Sequence, residues 1–433
     1  MWGVRRYAVR LPVHGLVSLS GEGVAKALPL AWVALLSVAP AAAQAPAADS
    51  LFASGRLQLA AEAYSRQLAE NPSDAAAEIR LGLLALWANR LEAAESLLHP
   101  HAAADRNDST AVAALAEVLY RRRRFLDAAP LYRRLGREAM ASKAASLAEP
   151  YVVSLPREAT RLPFASGAIL PVLRVRVNGM EANFLLDTGA GETILDTEFA
   201  KAVGARSFGT ELGTYAGGRT ASYEHGTVKS VQVGDAHLTG VPVHIQSTAA
   251  YRGAAGGREV SGILGTGVLA QFRSTIDYGA QELILEPRES PAAHGSSVPF
   301  WLLGDHFVTV SATVAGSVET LLVIDTGLAI PGGAFVPASS VLEEAGVEVR
   351  GTSGVGVGGG GTVTVTPFRI DRVSVGPLLG ENLLSVAGAF PPALEKRFTA
   401  RIGGLLSHGF FQGQRITLDF DGMRLWIAPS QRR

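Results

Sequence analysis

The sequence predicts a multidomain chain in which an N-terminal α-helical repeat region precedes an all-β, bilobal half built by duplication. Three observations carry this. Near residue 160 the composition shifts from Ala, Leu, Arg and Glu to Gly, Val and Thr, which favours helices first and strands afterwards. Before that point a small-residue pattern recurs three times at a fixed spacing, and after it five blocks recur in the same order. A length of 433 residues also exceeds what one core ordinarily organises.

The start of the chain carries an address. Arg5, Arg6, Arg10 and Lys26 precede an apolar run, Ala27 to Val38, and then the small-residue stretch Ala41 to Ala45. That order describes a cleavable signal peptide over residues 1–43. Arg5-Arg6 also fits a weak twin-arginine signal. The alternative is an uncleaved membrane anchor, for which the run is short. Export to the periplasm or beyond is the expectation. With no cysteine, disulfides, thiol nucleophiles and cysteine-bound metals are excluded. Lys plus Arg balance Asp plus Glu at 39 each, which argues against a nucleic-acid partner.

Residues 48–150 read as helical repeats. Gly55 to Tyr64, Asn89 to Leu98 and Arg123 to Tyr132 align without gaps, and Ala60, Ala94 and Ala128 are evenly spaced (94 − 60 = 128 − 94). In each unit a small residue precedes a large one by four, which lets neighbouring helices approach closely. Gly82 and Ala116 take the matching site on the preceding helices, and Asn71-Pro72 ends the first unit. The pattern resembles the tetratricopeptide repeat family, although that family's tryptophan is missing. The resemblance implies a concave surface for a protein partner; a spacer or lid packed on the rest of the chain is the alternative. The basic run Arg121 to Arg124 reads as a patch for an acidic partner or as a solvated helix end.

The duplication sets lobe 1 at 160–290 and lobe 2 at 298–430, each expected to hold six to eight strands. Phe184-Leu185-Leu186-Asp187-Thr188-Gly189 matches Leu322-Val323-Ile324-Asp325-Thr326-Gly327 at an offset of 138 (325 − 187). Later blocks match at 142 (376 − 234 = 404 − 262 = 429 − 287), so about four residues are inserted after Asp325. An apolar strand into Asp-Thr-Gly, a Gly-rich hairpin, then an apolar-apolar-Gly block resembles the aspartic peptidases. The length of one lobe is most similar to the bacterial retropepsin-like aspartyl protease family, here as two tandem barrels.

That resemblance implies an aspartic endopeptidase acting on a polypeptide substrate, with Asp187 and Asp325 as the catalytic pair and no metal or cofactor. Two carboxyls about 3 Å apart cannot both ionise, so they share one proton and supply both base and acid. Gly189 and Gly327 would permit the turns at the pair, and the Thr188 and Thr326 hydroxyls would bond across the two loops. Tyr215, Gly217 and Gly218 in lobe 1, with Gly359 and Gly360 in lobe 2, take the place of substrate-covering flaps; an ordinary flexible hairpin is the alternative. Leu328 and Ser407 depart from the family pattern. Asp277 and Asp419, though duplicated, are expected to cap turns. Tandem fusion makes a dimer unnecessary, so a monomer is expected. The competing function is an exported, non-catalytic peptide-binding adaptor.

Overall fold

A computed structural model describes residues 47–104, 109–147 and 151–430. The signal peptide expected at 1–43 lies outside the described residues. Among those described, no helix is long and apolar enough to cross a membrane.

Among the described residues seven helices come first: Ala48–Ala53, Leu57–Glu70, Ala75–Trp87, Leu91–Ala103, Ser109–Arg121, Phe125–Arg134 and Glu138–Ser146. The repeat's small residues are what let them pack. Ala60, Ala94 and Ala128 are fully buried, and a Cβ on Gly82 would fall 2.7 Å from Leu98 Cγ. The turn inside each unit is also repeated: Gly55, Asn89 and Arg123 all adopt left-handed φ, at 78°, 55° and 59°. This conformation ends a helix by freeing the chain to reverse.

The basic run Arg121 to Arg124 is neither a free patch nor a solvated helix end. Arg121 donates to the carbonyls of Leu302 (3.1 Å) and Gly304, and Arg123 to Tyr151 O (2.9 Å) and to Gln271. Arg122 and Arg124 pair with Glu95. Arg121 and Arg123 therefore spend donors where the repeats meet the lobes, and Arg122 and Arg124 spend theirs on Glu95 within the repeats. Trp87 adds an edge contact to Phe398, with ring centroids 5.9 Å apart.

Lobe 1 contains an eight-stranded sheet. It starts earlier than the expected boundary of 160, because Val152–Ser154 already pairs with residues 237–239; three residues carry too little pattern to be seen in sequence. A thirteen-stranded sheet holds the strands of lobe 2 and takes in the last strands of lobe 1, so the two barrel-like lobes of the bilobal fold are joined by continuous strand pairing. At its middle, Arg273–Asp277 pairs antiparallel with Gln414–Asp419, and Thr275 faces Thr417. These two are duplicates of each other (417 − 275 = 142). A residue opposite its own copy marks a local two-fold axis, and the same axis relates the two aspartate strands.

Candidate active site

Each aspartate ends a buried strand. Met180–Leu186 runs parallel to Gly262–Leu264, and Val318–Asp325 parallel to Ile402–Ser407. Phe184, Leu186, Leu322 and Ile324 are fully buried, so the loop that follows each strand starts from a fixed place. The Asp187 N–H is tied to Leu264 O at 3.1 Å.

Thr188 and Thr326 then lock the loops together. The Thr188 N–H donates to Thr326 Oγ1 (3.0 Å) and the Thr326 N–H to Thr188 Oγ1 (3.1 Å). Each hydroxyl passes its own proton on, Thr188 to Ile324 O (2.7 Å) and Thr326 to Leu186 O (3.1 Å). Both side chains are fully buried, so four polar groups that would otherwise be orphaned are satisfied across the axis.

This junction brings Asp187 and Asp325 side by side. The N–H groups of Gly189 (2.7 Å) and Gly327 (3.2 Å) both donate to Asp187 Oδ1. The glycines serve close approach here rather than an unusual turn. A Cβ on Gly327 would lie 2.2 Å from Asp187 Cγ, and one on Gly189 2.9 Å from Asp325 Cγ.

Burial raises both carboxyls above the ordinary carboxylate range, and it raises them unequally. Asp325 goes well up because it also faces the Asp187 charge. Asp187 is drawn back by the Gly189 N–H, by its hydrogen bond with Asp325, by the nearby His306 and by the Gly327 N–H. These directions are those of a pair that shares one proton, with Asp325 its stronger holder.

The predicted flap residues stand at two hairpin tips. Tyr215, Gly217 and Gly218 join Arg206–Thr214 to Thr220–Val233, and Gly359 and Gly360 join Gly354–Gly358 to Gly361–Val375. The tips touch each other, since a Cβ on Gly359 would fall 2.6 Å from the Tyr215 ring. The Gly217 N–H also crosses to Ala389 O of lobe 2, at 2.7 Å. Tyr215 itself donates to Gln246 Oε1 at 2.5 Å.

The two departures in lobe 2 have local reasons. Seven residues, 328–334, separate Gly327 from the strand Phe335–Pro337, against three, 190–192, at the same place in lobe 1. This accounts for the four-residue insertion. In the longer loop Leu328 packs on the main core, and Gly333 offers its carbonyl to the Ser407 hydroxyl at 3.2 Å. A side chain at the lobe 1 counterpart, Gly265, would meet Glu192 O at 2.5 Å. Asp277 and Asp419 are turn caps: the first accepts from the N–H groups of Gly279 and Ala280, the second from those of Asp421 and Gly422.

Six residues around the site were not anticipated, three of them, Lys143, Tyr120 and Glu192, at its junction with the helices. The phenol of Tyr251 is raised by burial and by the charges of Asp187 and Asp325, and its oxygen lies 3.2 Å from where a Cβ on Gly359 would be. His306 accompanies Asp305 beside Gly191, with Nδ1 2.8 Å from Asp305 Oδ1. Lys143, fully buried, reaches Glu192 at 2.7 Å, where Tyr120 also donates at 2.6 Å. These contacts hold Glu192 down to about 2 against the opposing effect of its burial. His306 and Tyr251 are not repeated in the other lobe: at the 138 offset that holds up to the aspartates residue 168 is Ala, and at the later 142 offset residue 393 is Ala.

Comparison with known proteins agrees with this geometry. No curated protein matches the chain. Residues 51–119 match the family model described as tetratricopeptide repeat, and residues 173–268 match the one described as aspartyl protease. The chain thus joins a tetratricopeptide repeat region to an aspartyl protease-like domain.

Proposed function

We propose that the chain is an aspartic endopeptidase in which Asp187 and Asp325 activate one water between them. The observation that carries this is the geometry of the pair: two buried carboxyls side by side at the ends of duplicated strands, held by the crossed threonine bonds, with Asp325 raised further than Asp187. In this reading Asp187 takes a proton from water, whose oxygen bonds to the carbonyl carbon of the substrate. The Asp325 proton passes to the carbonyl oxygen. In the second half the proton now on Asp187 goes to the amide nitrogen, the C–N bond breaks, and a diol proton returns to Asp325. Every proton moved is one the pair already holds or has just taken.

Both aspartates come from one chain, which supports a monomer as the working unit. Export is part of the same proposal and rests on the basic and apolar pattern of residues 1–43. The test is cleavage of an unfolded protein from acid to neutral pH by wild type, Asp187→Asn and Asp325→Asn. Activity confined to wild type, with all three folded, supports the reading. A folded wild type that binds peptides and never cuts them would make the chain an adaptor instead.

A further inference from the structure

We propose that the helical region closes one end of the cleft, so that a polypeptide enters chain end first and is cut within a few residues of that end. The inference rests on the peptidase reading and narrows it, from cutting anywhere within a polypeptide to cutting near its ends.

A cavity of about 1350 Å³ begins at Gly189 to Glu192, passes the flap residues Gly213 to Tyr215, and reaches the helices Ala75–Trp87 and Ser109–Arg121. It exceeds the roughly 300–1,000 Å³ of a small-molecule site, and an extended chain needs only about 3.3 Å of length per residue. The space beside the aspartate loop and the flap strand is therefore continuous with the space against the helices.

The helices are fastened to everything that frames this end. Tyr120 and Lys143 hold Glu192 of lobe 1, and Arg121 caps the carbonyls of Leu302 and Gly304 of lobe 2. Arg137 pairs with Glu211 of the flap strand at 2.8 Å. A wall bonded to both lobes and to the flap cannot step aside for a long chain without breaking the buried Lys143–Glu192 pair and the bonds of Arg121 and Arg137. An internal segment of a protein would have to continue through that wall, whereas a chain end would not.

The chamber also carries what a chain end needs. Leu212, on the flap strand, lines it with 76% of its surface exposed. Asp305 and Arg397 line it as well, with side chains 47% and 55% exposed and the guanidinium 3.8 Å from Asp305 Oδ1. The first can receive a terminal ammonium and the second a terminal carboxylate.

The experiment uses the full chain and one peptide of roughly 15 residues, too short to hold a stable helix in water. It is supplied free, N-acetylated, C-amidated and cyclised head to tail. Early products are read by mass spectrometry, with Asp187→Asn as the control for contaminating proteases. The expected result is a short fragment from one end and no cutting of the cyclic form. Blocking that end should lower kcat/KM by at least about tenfold, the effect of one lost charge contact. Asp305→Asn should abolish that discrimination if the amino end enters, Arg397→Ala if the carboxyl end does. Cuts spread along the linear peptide, or a cyclic form cut as fast, overturn the inference and leave the peptidase reading standing. No cleavage of any form would remove the peptidase reading and this inference with it.

Discussion

Lys143, with no exposed surface, sets its Nζ 2.7 Å from Glu192 Oε2 and so ties the last repeat helix to the loop that follows Asp187. Burial works against the lysine charge and Glu192 supports it. Glu192 in turn is served by Lys143, Tyr120 and, at 3.4 Å, His244. Removing one partner of a buried pair costs about 3–5 kcal/mol, because the other charge is left stranded. Lys143→Met is therefore expected to destabilise the whole chain by that order. Adding Glu192→Gln should recover part of the loss. Urea unfolding of both single variants and the double variant measures the coupling; strictly additive losses would mean the pair is not a unit.

Thr188 and Thr326 make a sharper demand. Replacing either by Val deletes a hydroxyl that accepts one N–H and satisfies one carbonyl across the axis. Each orphaned buried group costs about 1–3 kcal/mol. Thr→Ser keeps the hydroxyl and is expected to stay near wild type. Under the peptidase reading the Val variants should lower kcat more than they raise KM, since the loops lose their mutual position before the flaps change. Equal effects of Ser and Val at either site would show that side-chain shape, not the hydroxyl, holds the junction.

This threonine exchange was legible in the sequence for the same reason the aspartates were. Duplication writes each signal twice, and Asp-Thr-Gly in two matching blocks specifies both partners of a symmetric contact. Features present in one copy left no such trace. Tyr251 and His306 sit near the pair, yet their counterparts are Ala393 and Ala168. The basic run Arg121 to Arg124 misled because local sequence shows charge and not partners; its donors go to carbonyls nearly 200 residues away, at Leu302 and Gly304. Thr275 and Thr417 were visible as duplicates. Their hydroxyls meeting at 2.7 Å follows only once the two-fold axis is known.

Gly189 and Gly327 separate close approach from backbone freedom. Neither holds a left-handed φ, so Ala is allowed by the backbone and forbidden by the neighbours. At Gly327 the added methyl would sit 2.2 Å from Asp187 Cγ, and at Gly189 2.9 Å from Asp325 Cγ. Overpacking of this kind costs about 1–3 kcal/mol, while a displacement near 1 Å at a reacting group can cost about a hundredfold in rate. Gly327→Ala is expected to fold and lose at least that factor in kcat/KM, with Gly189→Ala less affected. Thermal melts alongside turnover check the order; Gly189→Ala as the more damaged variant would contradict it.

Asp325 gives a prediction that needs no substrate. Its carboxyl is raised well above the ordinary range in the folded chain by burial and by the charge of Asp187, whereas the unfolded chain ionises it near about 3.9. Between those two values the folded state holds the extra proton. Stability from this group is thus fully present below pH of about 4 and is lost as pH rises toward the folded pKa, by up to about 1.4 kcal/mol per pH unit. Asn carries no such proton. Asp325→Asn should therefore match wild type in stability near pH 4 and gain on it steadily toward neutrality, the gap levelling once pH passes the folded pKa. Chemical denaturation at half-unit steps from pH 4 to 8 reads the gap directly. Parallel curves across that range would mean Asp325 ionises normally, and the proton assigned to it would have to sit elsewhere.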